Sequence, residues 1–188
     1  MTATFQAFSP LLTALAAVLL LAVAWDFATA RIPNWITIPA AVGALVWHAT
    51  VAGWAGLLTA ASGWLVGIAL LLVPWLLGGL GGGDAKLMGA VGAFLGPKGC
   101  LVAFFGTALV GGVAAIALLA WHGALGSAFR RWLRMGTLMT LGLPGYEAPT
   151  APERTPRLRY GFAIALGTIG VLLLGKRLPE PFSLSLSF

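Results

Sequence analysis

The sequence predicts an all-α membrane protein that crosses the bilayer about six times. Hydrophobic residues make up 60% of the 188 residues and charged residues only 9%, whereas a soluble domain averages about 25% charged residues. The mean hydropathy is +0.97, and several uncharged runs approach the roughly 20 residues that a helix needs to cross a bilayer. Little sequence is left for a soluble domain, so we expect a single integral membrane domain over residues 1–188.

Six apolar runs are the candidate transmembrane helices. The first has no basic residue before it and no small-residue cleavage site after it, so we expect it to be retained rather than removed as a signal peptide. The fourth is short and contains Lys86, a pattern that also fits a re-entrant segment. The predicted spans are 7–25, 35–51, 54–77, 85–96, 99–120 and 160–174.

Basic residues favour six crossings. The stretch 122–159 contains six arginines, and short loops rich in Lys and Arg remain on the cytoplasmic side. If the fourth run crosses the bilayer, eight basic residues lie on the same side of the membrane as this loop and three lie on the other side. We therefore expect a cell-membrane protein with its N-terminus outside and a basic cytoplasmic loop at 122–159. Within it, Leu125 to Leu141 is either an interfacial helix or plain loop.

Aromatic and histidine residues have structural explanations, as does the net charge. The charge of +6 fits this topology and contact with anionic lipid better than binding of nucleic acid. His48 and His122 have no Cys or carboxylate at metal spacing, so we expect them in loops or at the interface. An interfacial belt is expected from the tryptophans near the span ends, which are Trp25, Trp35, Trp47, Trp54, Trp75 and Trp121.

We expect structural roles for the glycines and for the cysteine as well. Gly63 and Gly67, like Gly92 and Gly96, have the spacing that lets membrane helices pack closely. Cys100 is the single cysteine, which excludes an internal disulfide and a zinc site of several cysteines. We expect neither a metal nor a cofactor.

Asp26 and Asp84 differ from the other acidic residues. The chain has five acidic residues, and the three glutamates lie in Pro-rich, polar stretches. These two aspartates adjoin apolar runs, where a carboxylate is costly and usually functional. In the predicted topology both lie at cytoplasmic helix ends, and two carboxylates that share a proton can act as acid and base. The structural alternatives are a solvated helix-end carboxylate for Asp26 and a helix N-cap for Asp84.

The residues around these aspartates suggest how a site is built. Asp84 follows the Gly-rich stretch 78–83, against which an extended peptide could pair by backbone hydrogen bonds. No GK[ST] follows, so a phosphate-binding loop is disfavoured. In the turn after the first helix, Arg31 fits the cytoplasmic side and Asn34 is expected to cap the second helix.

The chain resembles the type IV prepilin peptidases, which are GxGD-type intramembrane aspartyl proteases. The resemblance rests on Asp26 followed by RIPN at 31–34, and on GGGDAKLM at 81–88. Further matches at 89–96 and 160–167 extend it over most of the chain in the same order.

The resemblance implies that Asp26 and Asp84 are the catalytic pair. The substrate would be a prepilin, cut at the cytoplasmic face where a short basic leader meets a hydrophobic helix. Larger members carry a four-cysteine zinc region linked to N-methylation. This chain lacks such a zinc region and in this respect resembles the short forms that serve Flp pili. The lack of the region argues against N-methyltransferase activity. Supporting or substrate-binding residues would be Gly81, Gly83, Lys86, Arg31, Asn34, Tyr160 and Gly161.

Two other classes of function remain open from the residues alone. A proton- or ion-coupled carrier would use the two aspartates as ion sites, but it should show an internal repeat with matching broken helices, and only one Gly-rich break before a charge is present. A non-catalytic component of a pilus assembly platform would need no aspartate pair. The sequence leaves the oligomeric state open.

Overall fold

The computed structural model describes residues 2–29, 31–76, 80–123, 126, 130 and 160–174. Within these ranges the regular structure is helical and no strand occurs, which confirms the predicted all-α class. By length and composition, α1, α2 and α3 could each cross a bilayer, and α4 is a shorter apolar helix. The helices are α1 (Thr2–Thr29), α2 (Asn34–Leu76), α3 (Gly82–Trp121) and α4 (Tyr160–Leu174).

One glycine interrupts each of the two long helices. Gly53 in α2 has φ 61° and ψ −142°, and Gly96 in α3 has φ 70° and ψ 178°. Neither conformation is helical, and glycine adopts such positive φ values at little steric cost. The break at Gly53 falls between the predicted spans 35–51 and 54–77, and the break at Gly96 falls at the last residue of the predicted span 85–96. We name the resulting segments α2a (34–52), α2b (54–76), α3a (82–95) and α3b (97–121).

Residues 1–110 and 159–188 form one compact unit, in which α2b and α3a lie side by side and antiparallel. A Cβ added to Gly63 would meet the carbonyl oxygen of Gly92, and one added to Gly67 would meet that of Met88. Because side chains are missing at these points, the two backbones touch. The predicted close packing at these glycines is confirmed.

In the same unit, α4 packs against α1 and against the beginning of α3b. A Cβ on Gly106 would lie 2.8 Å from the carbonyl oxygen of Gly167. The other compact unit is 111–158, of which the structure describes the end of α3, the turn His122–Gly123, and residues 126 and 130. Most of the predicted basic loop 122–159 and of the interfacial helix 125–141 therefore lies outside the described residues.

Burial is distributed unevenly over the helices. Every residue from Leu87 to Leu95 is buried, so α3a is covered by other helices. Large apolar side chains elsewhere are exposed, such as Leu20, Leu65 and Leu109. Such broad apolar surface on a water-soluble protein would cause association, and a bilayer would cover it.

His48 departs from its predicted place. It lies within α2a and is buried, and its Nε2–H donates to the carbonyl oxygen of Phe94 at 3.2 Å. The prediction of a loop or interface position is wrong for His48, although it is right for His122, which is exposed in the turn after α3. The break at Gly96 ends α3a, so the last carbonyls of this segment need donors from outside the helix. His48 supplies one.

Candidate active site

Asp26 lies in the last turn of α1, immediately before the chain reverses. It is only 6% exposed, which is unusual for a carboxylate. Thr29 Oγ1 is 3.0 Å from the carbonyl oxygens of both Trp25 and Arg31, and thereby ties the end of α1 to the turn. The tight turn keeps Asp26 next to the beginning of α2.

Asp84 is the third residue of α3. Its Oδ2 accepts a hydrogen bond from Gly81 N–H at 3.1 Å, and its own N–H donates to the Gly81 carbonyl at 3.1 Å. The bond from Gly81 N–H to the Asp84 carboxylate is one half of a capping box. Gly81 has no side chain for the other half, so its backbone carbonyl accepts the Asp84 N–H instead. The side chain thus helps to begin α3, as the structural alternative suggested, but from the third helical position rather than the cap position.

The same hydrogen bonds bear on the last part of the Gly-rich stretch, while pairing of an extended peptide with the stretch as a whole stays a prediction. Gly82 and Gly83 lie in the first turn of α3 rather than in an extended strand, and Gly81 N–H is already bonded to Asp84. Neither glycine of the helical turn offers the extended edge that strand pairing with a peptide requires. The positions 77–79 lie outside the described residues.

The two aspartates come together at one end of the helices. The charge of Asp26 acts on Asp84, and Asp84 in turn acts on the Tyr160 hydroxyl. Tyr160 is the first residue of α4 and is half-buried. The last turn of α1 and the first turns of α3 and α4 therefore contribute titratable groups to a common site.

Two glycines allow this close approach. A Cβ on Gly161 would lie 3.3 Å from Asp26 Oδ2 and 3.0 Å from Ile32 Cδ1, and one on Gly83 would lie 2.8 Å from the Ile32 carbonyl oxygen. Such contacts are shorter than ordinary van der Waals distances. A side chain at Gly83 would press on the backbone of Ile32, and one at Gly161 would press on the side chains of Ile32 and Asp26. Ile32, which the sequence did not single out, is buried between these two glycines.

Lys86 and Asn34 join the beginnings of α3 and α2. Lys86 Nζ donates to Asn34 Oδ1 at 2.9 Å. The prediction that Asn34 caps α2 is wrong, because α2 begins at Asn34 itself, and its amide oxygen bonds to Lys86 instead. Arg31 is exposed in the turn between α1 and α2.

Aromatic residues flank Asp26 on both sides in sequence. Trp25 packs edge-to-face on Trp35 of α2, with ring centroids 5.0 Å apart, and Phe27 packs edge-to-face on Phe162 of α4 at 6.0 Å. Each pair connects α1 to a neighbouring helix, at a geometry favourable for aromatic rings. Sequence reasoning did not single out these aromatic pairs. The sequence WDF at 25–27 could have pointed to them, because an aromatic residue lies on each side of the aspartate.

The described ranges contain no group of three His, Cys, Asp or Glu side chains that could hold a metal ion. The functional groups at the site are instead two carboxylates, a phenol and an ammonium group at its rim. Carboxylates and a water molecule are sufficient for acid–base hydrolysis.

A family model describes the same part of the chain. The model of the type IV leader peptidase family matches residues 13–116, which is more than half of the chain and includes Asp26 and Asp84. The chain belongs to the type IV leader peptidase family. Membership makes it a peptidase and implies a prepilin as its substrate. Together with helices that are long and apolar enough to cross a bilayer, it indicates a membrane protein.

Other comparisons add no relatives, since no curated protein and no solved structure matches the chain. The family match ends before α4, so Tyr160 and Gly161 are tied to the site by their contacts alone.

Proposed function

We propose that this chain is an aspartyl leader peptidase in which Asp26 and Asp84 form the catalytic pair. The observation that carries the proposal is the convergence of two carboxylates from separate helices, one of them buried, in a chain with only five acidic residues. Isolated carboxylates in apolar surroundings are costly and are usually functional. A carrier, the alternative class, is not favoured by the family match.

In the proposed reaction the pair holds one proton. The ionised carboxylate takes a proton from water as the water oxygen attacks the scissile carbonyl carbon. The protonated carboxylate donates a hydrogen bond to the carbonyl oxygen, and the leaving amine then receives a proton as the C–N bond breaks. No nucleophilic side chain is required, and the roles of the two aspartates need not be fixed in advance.

We further propose that the helical segments make six crossings. The breaks at Gly53 and Gly96 divide α2 and α3. The antiparallel packing of α2b on α3a is consistent with a return across the bilayer between these two segments. Asp26, Asp84 and Tyr160 then lie at one membrane face. The arginines of 122–159 favour the cytoplasmic side for that face.

Neighbouring residues are proposed to support the pair. Lys86 and Asn34 hold the beginnings of two helices together, while Gly81 orients the Asp84 carboxylate. The Tyr160 hydroxyl would donate a hydrogen bond to a bound peptide or to Asp84. Arg31, exposed in the α1–α2 turn, would contact anionic lipid headgroups at the cytoplasmic face.

The substrate is proposed to be a prepilin whose scissile bond lies where a basic leader meets a hydrophobic helix. A peptide of that kind would place its leader in the cytoplasm and its apolar part in the bilayer, at the depth of the two aspartates. Two finer expectations from the sequence stay predictions, namely a pilin of the Flp type and cleavage without N-methylation.

The test is cleavage of a purified prepilin by the purified protein in detergent. We expect the wild type to release the leader, and Asp26→Asn and Asp84→Asn each to be inactive while unfolding at the temperature of the wild type. Asparagine keeps the shape of the side chain but cannot titrate. Glu153→Gln, which neutralises a carboxylate in the polar stretch, is the matched control and should cleave normally.

Two results would overturn the proposal. A folded wild-type protein that leaves several prepilins intact would argue against a leader peptidase. Full cleavage by either folded asparagine variant would remove that aspartate from the catalytic pair. Mass spectrometry of the products identifies the bond that is cut and shows whether the new N-terminus is methylated.

A further inference from the structure

Ile32 occupies the space between the structural elements that carry the candidate site. It is buried, at 8% exposure, in the short turn between α1 and α2. The three atoms nearest to a Cβ added at Gly83 all belong to Ile32, at 2.8, 3.0 and 3.3 Å. On the α4 side, Ile32 Cδ1 would lie 3.0 Å from a Cβ at Gly161. One residue therefore meets both glycines that border the aspartates.

Each of these glycines is coupled to one carboxylate. Gly83 directly precedes Asp84, and Gly161 approaches Asp26 Oδ2 so closely that an added Cβ would be 3.3 Å away. Gly83 meets the backbone and Cβ of Ile32, whereas Gly161 meets its Cδ1. Shortening the Ile32 side chain therefore opens a gap on the α4 side, which α4 can move to close. The separation of the two carboxylates is then sensitive to the shape of this side chain.

The position of Ile32 is itself fixed from both sides. Before it, the Thr29 hydroxyl is 3.0 Å from the carbonyl oxygen of Arg31. After it, Ile36 N–H donates to the Pro33 carbonyl at 3.2 Å. A side chain that is held this way acts as a spacer of defined width rather than as a mobile surface group.

We propose that Ile32 is a positioning residue of the peptidase, and that its backbone and side chain set the distance between Asp26 and Asp84. The inference rests on the proposed function of the two aspartates. Its consequence is chemical as well as mechanical, because the closer two carboxylates lie, the wider is the pH range over which the pair holds a single proton. Tyr160 is a further titratable group, on which Asp84 acts, and it is unchanged by substitutions at Ile32.

The first experiment compares prepilin cleavage by Ile32→Val, Ile32→Ala and the control Ile36→Ala. Ile36 is a similarly buried isoleucine in α2, at 4% exposure. We expect Ile32→Ala to lower kcat about tenfold or more with KM changed less than about twofold, because misplacement of catalytic groups by about 1 Å can cost about 100-fold. The pH range of high kcat should become wider, because a narrower spacer lets the two carboxylates move closer together. Ile36→Ala should keep the wild-type pH range, and Ile32→Val should fall between.

The second experiment uses a compensating pair of substitutions. Gly161→Ala alone places a methyl group against Ile32 Cδ1 and should reduce kcat strongly. Ile32→Val removes that Cδ1 carbon, so the double variant Ile32→Val/Gly161→Ala should recover part of the lost rate. Thermal unfolding of each variant in detergent shows which proteins are folded, and Ile32→Val keeps the test informative if Ile32→Ala does not fold.

The outcomes separate this inference from the proposed function. Wild-type protein that does not cleave prepilin contradicts the proposed function itself. If the wild type cleaves, while Ile32→Val or Ile32→Ala keeps the wild-type kcat and pH range, then Ile32 is not a positioning residue. A double variant that is no faster than Gly161→Ala would also count against the proposal.

Discussion

The two parts of α3 on either side of Gly96 are built from similar residues but have opposite surroundings. In α3a, Leu87 is fully buried, as are all the residues that follow up to Leu95. In α3b, Leu109 is 72% exposed. Both parts are apolar, so hydrophobicity alone does not distinguish a helix in the centre of a membrane protein from one that faces lipid.

The difference shows where the candidate chemistry is supported. Asp84 begins α3a, and this segment is held by helix backbones on the α2b side and by His48 at its far end. A rigid, enclosed helix fixes the carboxylate at its first turn more firmly than a helix open to lipid could. The proposed catalytic residue Asp84 and the closest packing thus lie in the same segment, α3a, and α3b provides matched control positions.

The largest difference in stability is expected between two glycine-to-alanine substitutions. A Cβ on Gly92 would collide with the backbone of Gly63, which cannot move aside, whereas one on Gly112 meets nothing within 4 Å. We expect Gly92→Ala to cost about 4 kcal/mol of unfolding free energy. Gly112→Ala should be neutral or slightly stabilising. Thermal unfolding in detergent measures both, and equal stability of the two variants would contradict the close packing of α3a on α2b.

A smaller difference is expected between two leucine-to-alanine substitutions. Leu87→Ala leaves a cavity inside the helix bundle and should cost about 3 kcal/mol. Leu109→Ala should cost much less, because lipid or detergent fills the space left on an exposed face. Reversible unfolding titrated with a denaturing detergent compares the two. An equal loss for both would mean that α3a is no more enclosed than α3b.

The junction of the two segments depends on a single hydrogen bond from α2a. His48→Phe keeps the bulk of the ring but leaves the Phe94 carbonyl without this donor, so we expect a loss of about 2 kcal/mol. His122→Phe, in the exposed turn after α3, is the control and should cost little. The same unfolding assay applies, and a fully stable His48→Phe variant would show that the hydrogen bond does not secure the break.

The smallest effect is expected at the two lysines of α3. Lys86→Met removes the hydrogen bond to Asn34 Oδ1 and should lower the cleavage rate several-fold, while stability changes by about 0.5 kcal/mol because the bond is exposed. Lys98→Met, in α3b, should leave both unchanged. The double variant Asn34→Ala/Lys86→Met should cleave no more slowly than Lys86→Met alone. A double variant whose loss of rate equals the product of the two single losses would show that the two residues act independently.

Much of the fold followed from hydropathy and glycine. The limits of the apolar runs predicted breaks near positions 53 and 96, because a helix of about 40 residues is about twice as long as the bilayer core is thick. The aspartates were recognisable because a carboxylate is rare and costly beside apolar helices. These two aspartates are 58 positions apart in the sequence, and their association depends on tertiary packing that no local pattern encodes.

The residues that the sequence did not reveal act through contacts between distant segments. His48 is polar and lies near the end of a predicted span, so a surface position was the simpler expectation. Its partner is the Phe94 carbonyl, which the helix break at Gly96 leaves without a helical donor. This pairing appears only when α2a and α3a are packed together. Ile32 looks like any apolar turn residue, and its importance comes from the two glycines that it touches.

The central claim is that Asp26 and Asp84 act as one catalytic unit. The most direct test measures prepilin cleavage by Asp26→Asn, Asp84→Asn and the double variant against the wild type, with long incubations and quantitative mass spectrometry. We expect each single variant to lose about 1000-fold or more, and the double variant to be no slower than the slower single variant, since residues that act as a unit are not additive. Losses that multiply in the double variant, or a single variant that keeps more than about a tenth of the rate, would contradict the claim.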